Sequence, residues 1–150
     1  MDFSFPQVYK EKLQGIVAPE DQQLVLYLIS KIIEGKKADN IFIKDGILTY
    51  NGSTGSRSSL FMSPDGGTFE LQDRDGATCL VYRFTMRKSF ISILVMSIVL
   101  TIISWTWWAG IMALFFLFGI NWLLTSARHG DLVSDIVTDL NKEFFPGIIN

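Results

Sequence analysis

Residues 89–125 form an unbroken stretch of 37 residues without Asp, Glu, Lys, Arg or His. As one helix this stretch would be about 55 Å long, against roughly 30 Å for the hydrocarbon core of a bilayer. Two spans of about 17 residues joined by a tight turn fit that thickness better than one span. The sequence therefore predicts a transmembrane helical hairpin. The alternative is a buried hairpin in a soluble protein, but the remaining residues would have difficulty covering so continuous an apolar surface.

Tryptophans and basic residues predict the orientation of this hairpin. Three tryptophans cluster at its middle, where Gly110 permits a turn, and indole rings prefer the membrane interface. Basic residues flank both outer ends, and the turn has none, which predicts cytoplasmic termini in a plasma or inner membrane. The predicted interface residues are Arg87, Lys88, Trp105, Trp107, Trp108, Trp122 and Arg128.

Small and polar residues share common faces within the two spans. They are Ser97, Thr101 and Ser104 on the first span, and Gly110, Ala113 and Asn121 on the second. Such residues let helices approach closely, or they could line a wet path in an oligomer. Neither span has an ionisable side chain to carry ions or protons, so we favour helix packing over pore lining.

Before the hairpin, residues 1–88 carry eleven basic and eleven acidic side chains. Ser4 fits a capping box and Gly15 a helix end, which predicts a first helix over 5–14. A second helix is predicted from Pro19 to about Glu34.

After Asn40 the apolar residues alternate with the period of strands, and Asp-Gly pairs mark tight hairpin turns. The predicted strands are 41–44, 47–50, 59–62, 68–72 and 77–84. Together with the two helices they predict a small cytoplasmic α+β domain with a five-stranded antiparallel sheet, or a half-open barrel. The last strand leads almost directly into the first span, so the domain should stand close to the membrane.

Residues 126–150 predict a C-terminal amphipathic helix. Its apolar row is Leu132, Ile136, Leu140 and Phe144, and its acidic row is Asp131, Asp135, Asp139 and Glu143. Helices that lie on membranes usually carry basic residues, and anionic lipids would repel this one. The apolar row is therefore predicted to dock on protein, either on the N-terminal domain of the same chain or on a neighbouring chain.

No motif in the chain is specific for catalysis or for a cofactor. The glycine-rich residues 52–57 lack the Gly-Lys-Ser/Thr ending of a P-loop, and the near-neutral domain lacks the basic surface of a nucleic-acid binder. Cys79 is predicted in the core, without a nearby histidine to activate it, and one Cys with one His excludes the usual Cys/His zinc sites. His129, just past the second span, could titrate.

These observations predict an integral membrane protein without catalytic residues, cofactor, metal or evident small-molecule ligand. The first hypothesis is a non-enzymatic adaptor or accessory subunit that contacts lipid and other protein subunits, or further copies of itself. The alternative is a homo-oligomeric pore or membrane-perturbing effector that the cytoplasmic domain gates.

Overall fold

The computed structural model describes residues 7–52 and 65–146, which form an α+β fold with a five-stranded antiparallel sheet and three helices. The strands are β1 (Gln7–Lys12), β2 (Asp39–Lys44), β3 (Ile47–Asn51), β4 (Gly66–Arg74) and β5 (Ala77–Thr85). The helices are α1 (Pro19–Gly35), α2 (Arg87–Ser104) and α3 (Trp107–Phe144). Helix α3 is α-helical over Trp107–Ala113, π-helical over Leu114–Phe118 and α-helical again over Gly119–Phe144.

The strands lie in the order β1-β5-β4-β3-β2. Two-residue turns join β2 to β3 and β4 to β5, and Asp45, Gly46, Asp75 and Gly76 all have positive φ. Asp-Gly is the pair that such hairpin turns favour, because glycine tolerates this conformation without strain. The first strand in the sequence lies at the edge beside β5, so the sheet is completed by a long-range pairing.

The predicted helix over 5–14 is wrong, because residues 7–12 form the edge strand β1. Tyr9 faces the core and stacks on Tyr82 and Phe84, at 6.2 Å between ring centroids in each case. This pairing with a distant strand outweighs the local capping signal. Gly15 ends no helix; a Cβ there would collide with the ring of Phe145.

The second predicted helix is confirmed as α1, and the predicted strand 59–62 lies outside the described residues. Over the described residues the sheet has five antiparallel strands, of which β1 was not predicted.

One face of the sheet is covered by α1 and by the C-terminal half of α3. The resulting core contains Leu26, Ile29 and Ile33 of α1, Leu48, Phe69, Leu80, Tyr82 and Phe84 of the sheet, and Leu132, Val133, Ile136, Val137 and Leu140 of α3. The sequence predicted a separate helix after the second apolar span. Instead, α3 runs from the apolar segment to Phe144 as one helix of 38 residues.

Candidate functional site

Helix α2 and the first half of α3 pack against each other as an apolar hairpin. Both helices are long and apolar enough to cross a membrane. Only 6% of an apolar 18-residue stretch of α2 and 11% of one in α3 is buried. The chain reverses at Trp105, which is 95% exposed and adopts a left-handed backbone conformation. Trp107 and Trp108 stack at this end, with ring centroids 4.1 Å apart. The three tryptophans therefore lie at the tip of the hairpin, far from the sheet.

The two helices approach most closely at Gly110, which is buried. A Cβ at Gly110 would lie 2.8 Å from the carbonyl oxygen of Ser97 and would overlap the hydroxyl of Thr101. Both hydroxyls donate within their own helix, Ser97 to Ile93 at 2.8 Å and Thr101 to Ser97 at 2.9 Å. The contact between the helices thus depends on close packing at a glycine.

The other predicted packing residues lie around this contact. Ser104 is exposed and donates to the carbonyl of Leu100 at 2.7 Å, and Ala113 and Asn121 are half-buried. Phe90 and Phe118 meet edge to face at 5.0 Å between centroids, near the end of the hairpin that adjoins the sheet.

The basic residues predicted for the interface lie at that same end. Arg87 and Lys88 begin α2 and are exposed, and Arg128 is exposed on α3. Trp122 is half-buried and packs against the core of the sheet domain. The basic residues and the three tryptophans thus mark opposite ends of the hairpin.

Asp65 fastens the sheet to the start of α2. Its carboxylate accepts hydrogen bonds from the backbone N–H of Lys88 at 2.9 and 3.0 Å, where the unpaired N–H groups of a helix favour a negative charge. Its backbone N–H donates to Thr85, and its carbonyl accepts from Gly52. Sequence reasoning assigned Asp65 only to a turn, because its partner lies 23 residues further along the chain.

A chain of buried hydrogen bonds links the sheet to α3 on the core side. His129 is fully buried, and its Nδ1 lies 2.7 Å from the hydroxyl of Tyr82, which in turn is hydrogen-bonded to the hydroxyl of Tyr50. Burial raises the pKa of Tyr50 and of Tyr82, so both phenols stay neutral. His129 is therefore not exposed at the membrane interface, because it is buried against Tyr82 and Phe84.

Two further contacts hold α3 beside β1. The hydroxyl of Tyr9 donates to the carbonyl of Ser126 at 2.7 Å, and the backbone N–H of Gln14 donates to Oδ1 of Asn141 at 2.9 Å. Three residues of the apolar row predicted for docking lie between these contacts and are buried, namely Leu132, Ile136 and Leu140; Phe144 lies just beyond them and is half-buried. The structure thus places this row on the domain of its own chain.

The face of the sheet that points away from α1 and α3 is here called the outer face. Over the described residues no helix packs on it. It has a shallow concavity of about 160 Å³, lined by Lys10, Lys12, Gln72, Arg74, Asp75, Cys79 and Val81. Cys79 is therefore buried on the outer face and not in the core cluster.

Among residues 7–52 and 65–146, no group of three or more His, Cys, Asp or Glu side chains could hold a metal ion. No protein-family model matches the chain, and no curated protein or solved structure is detectably similar to it.

Proposed function

We propose that the protein is a non-enzymatic, membrane-anchored adaptor or accessory subunit. The hairpin anchors it in the lipid of a plasma or inner membrane with both termini cytoplasmic, and the sheet domain contacts other proteins at the cytoplasmic surface. The observation that carries this proposal is helix α3, which belongs to the apolar hairpin at one end and to the core of the sheet domain at the other.

The exposed apolar surface of the hairpin supports the membrane anchor. Ile102, Ile103 and Phe115 are 68%, 71% and 77% exposed, and they belong to a surface that is apolar on nearly all sides. Soluble monomers rarely expose contiguous apolar patches above a few hundred Å². Lipid is the environment that covers such a surface, with tryptophans at one interface and basic residues at the other.

The rigid connection between hairpin and domain supports an adaptor. Asp65 holds the start of α2, while Leu132, Ile136 and Leu140 hold α3 in the core. Because the apolar row is already used within the chain, we expect partners at surfaces that remain exposed, among them the outer face and the acidic row of α3. A domain fixed in this way presents both surfaces in one orientation relative to the membrane.

The pore alternative is less well supported. A pore would need the hydroxyls of the spans to face a shared lumen. Ser97 and Thr101 instead lie against Gly110 of their own hairpin. Only Ser104 of that face is exposed, and it lies next to the tip.

Cysteine labelling tests the topology. In a Cys79→Ser background, Trp108→Cys at the tip should react with a membrane-impermeant maleimide in intact cells. The matched variant Asp45→Cys, in the exposed β2–β3 turn, should react only after permeabilisation. Labelling of Asp45→Cys in intact cells, with Trp108→Cys protected, would contradict the proposed orientation.

Purification in a mild detergent tests the adaptor role. Co-purification of different chains in a fixed ratio supports an accessory subunit. A closed ring of identical chains that conducts ions in vesicles would favour the pore instead.

A further inference from the structure

We infer that the outer face of one copy binds the acidic row of α3 in a second copy, so that chains associate front to back in the membrane. This inference goes beyond the adaptor role, because it names a partner and the two surfaces that meet. It rests on the membrane anchor of the proposed function.

The basic side of this contact lies on the edge strand β1. Lys10 and Lys12 alternate with Tyr9, which faces the core, so both lysines point to the outer face. Both are exposed, and neither takes part in an ion pair with another described residue. With Arg74, which is ion-paired to Asp75 at 3.6 Å, they line the concavity, so its lining carries three basic side chains and one acidic side chain.

The acidic side is the solvent-exposed face of α3. Asp131, Asp135, Asp139 and Glu143 are all exposed, while the apolar row between them is in the core. Among the described residues, the only ion pair of this row joins Asp139 to Lys142 at 3.6 Å. Three of the four carboxylates therefore have no cationic partner in that part of the chain.

The two charged surfaces lie at the same height above the hairpin. The contacts from Tyr9 to Ser126 and from Gln14 to Asn141 align β1 with α3, and both elements run away from the hairpin. Lys10 and Lys12 lie between these contacts along β1, as the aspartates do along α3. Alternate strand residues are about 6.7 Å apart and every fourth helix residue about 6 Å, so the charges can pair in register.

Geometry favours a second copy as the partner. The lysines lie on the outer face and the acidic row lies on the helix that covers the other face, and among the described residues no ion pair joins the two sets within one chain. A shared anchoring depth brings the surfaces of neighbouring copies to the same level. An acidic segment of another protein would satisfy only the lysines and would leave the acidic row unused. Front-to-back contacts of this kind form rings or open rows.

A charge-swap experiment tests the inference on the full chain in mild detergent. Variant one is Lys10→Glu with Lys12→Glu, and variant two is Asp135→Lys with Asp139→Lys. Each variant alone places like charges in contact, so we expect its self-association to weaken roughly tenfold or more. A mixture of the two restores opposite charges at both kinds of contact, so differently tagged copies should co-purify.

Two controls accompany the swap. The pair Lys36→Glu and Lys37→Glu makes the same charge change at the end of α1 and should leave the oligomer intact. Raising the salt from 0.15 to 1 M shortens the screening length from about 8 to 3 Å and should dissociate the wild type. Resistance of each variant to carbonate extraction measures the membrane anchor separately, so a failure of the proposed function is distinguished from a failure of this contact.

Three results would overturn the inference: a monomeric wild type, variants that each keep the oligomeric size of the wild type, or a mixture that does not re-associate. A fourth result would show that the lysines bind a different partner. If Lys10→Glu with Lys12→Glu lost a co-purifying foreign chain while the aspartate variant kept it, the partner would be an acidic protein.

Discussion

Ile136→Asp is the substitution that most directly tests how α3 and the sheet depend on each other. The sequence alone predicts that this change frees the C-terminal tail to proteolysis and leaves the hairpin inserted. The structure changes that expectation, because Ile136 is fully buried in the same core as α1 and the sheet.

The expected loss is large compared with the stability of a small domain. Removing a buried isoleucine side chain costs about 2 to 5 kcal/mol. A carboxylate in this dry site must stay protonated at pH 7, and raising its pKa by about three units costs roughly 4 kcal/mol more. The total of about 6 to 9 kcal/mol is comparable to the whole free energy of unfolding of a typical domain, about 5 to 15 kcal/mol.

Hydrogen exchange in lipid nanodiscs measures the effect. Ile136→Asp should remove amide protection from β5 and α1 as well as from the C-terminal half of α3, while α2 stays protected in lipid. Thr138→Asp is the matched control, since it adds the same acid on the exposed face of the same helix. If β5 is protected equally in both variants, α3 is not part of the core of the domain and the reasoning is refuted.

Three further predictions concern the contact between α2 and α3, the start of α2, and the buried tyrosines of the sheet. Gly110→Val should separate α2 from α3, because even a Cβ at this position overlaps the hydroxyl of Thr101. Increased cross-linking between cysteines placed at the hairpin tips of different copies would detect the separation. Cross-linking equal to that of the wild type would contradict the packing at Gly110. Asp65→Ala removes the carboxylate at the start of α2 and should cost about 1 kcal/mol, with faster exchange at the first amides of α2 than in wild type. Burial raises the pKa of Tyr50 and Tyr82, so the unfolded chain ionises first as the pH rises above about 10; stability is complete below that pH and then falls by about 1.4 kcal/mol per pH unit for each tyrosine. Denaturant unfolding from pH 9 to 11 should show this slope, and Tyr50→Phe should reduce it; an equal slope in the variant would contradict the assignment.

Local patterns predicted much of the fold. The α+β class, helix α1, the β2–β3 hairpin and the two apolar helices follow from period, turn pairs and hydropathy, which act over a few residues. Strand β1 was missed because its conformation is decided by pairing with β5, about seventy residues later. A short segment with a plausible helix cap has no local signal that reveals such a partner.

The candidate site was predictable only in part, for the same reason. The small residues of the hairpin and the apolar row of α3 stand out through their spacing. Asp65 and His129 do not, since each acquires its role from a residue far away in the sequence, Lys88 and Tyr82 respectively. Hydropathy also marks where the apolar segment ends but cannot show that the helix continues beyond it.

Because α3 is continuous, a change in the tilt of its apolar part also moves its C-terminal part. The part from Ser126 to Phe144 is about 28 Å long at 1.5 Å per residue and is packed along the sheet. If the hairpin spans a bilayer as proposed, a tilt of 10° would move the far end of this arm by about 5 Å. Bilayers that differ in thickness change the tilt of the helices that cross them. The height of the charged surfaces above the membrane would then vary with the thickness of the bilayer, while the structure of the domain itself stays the same.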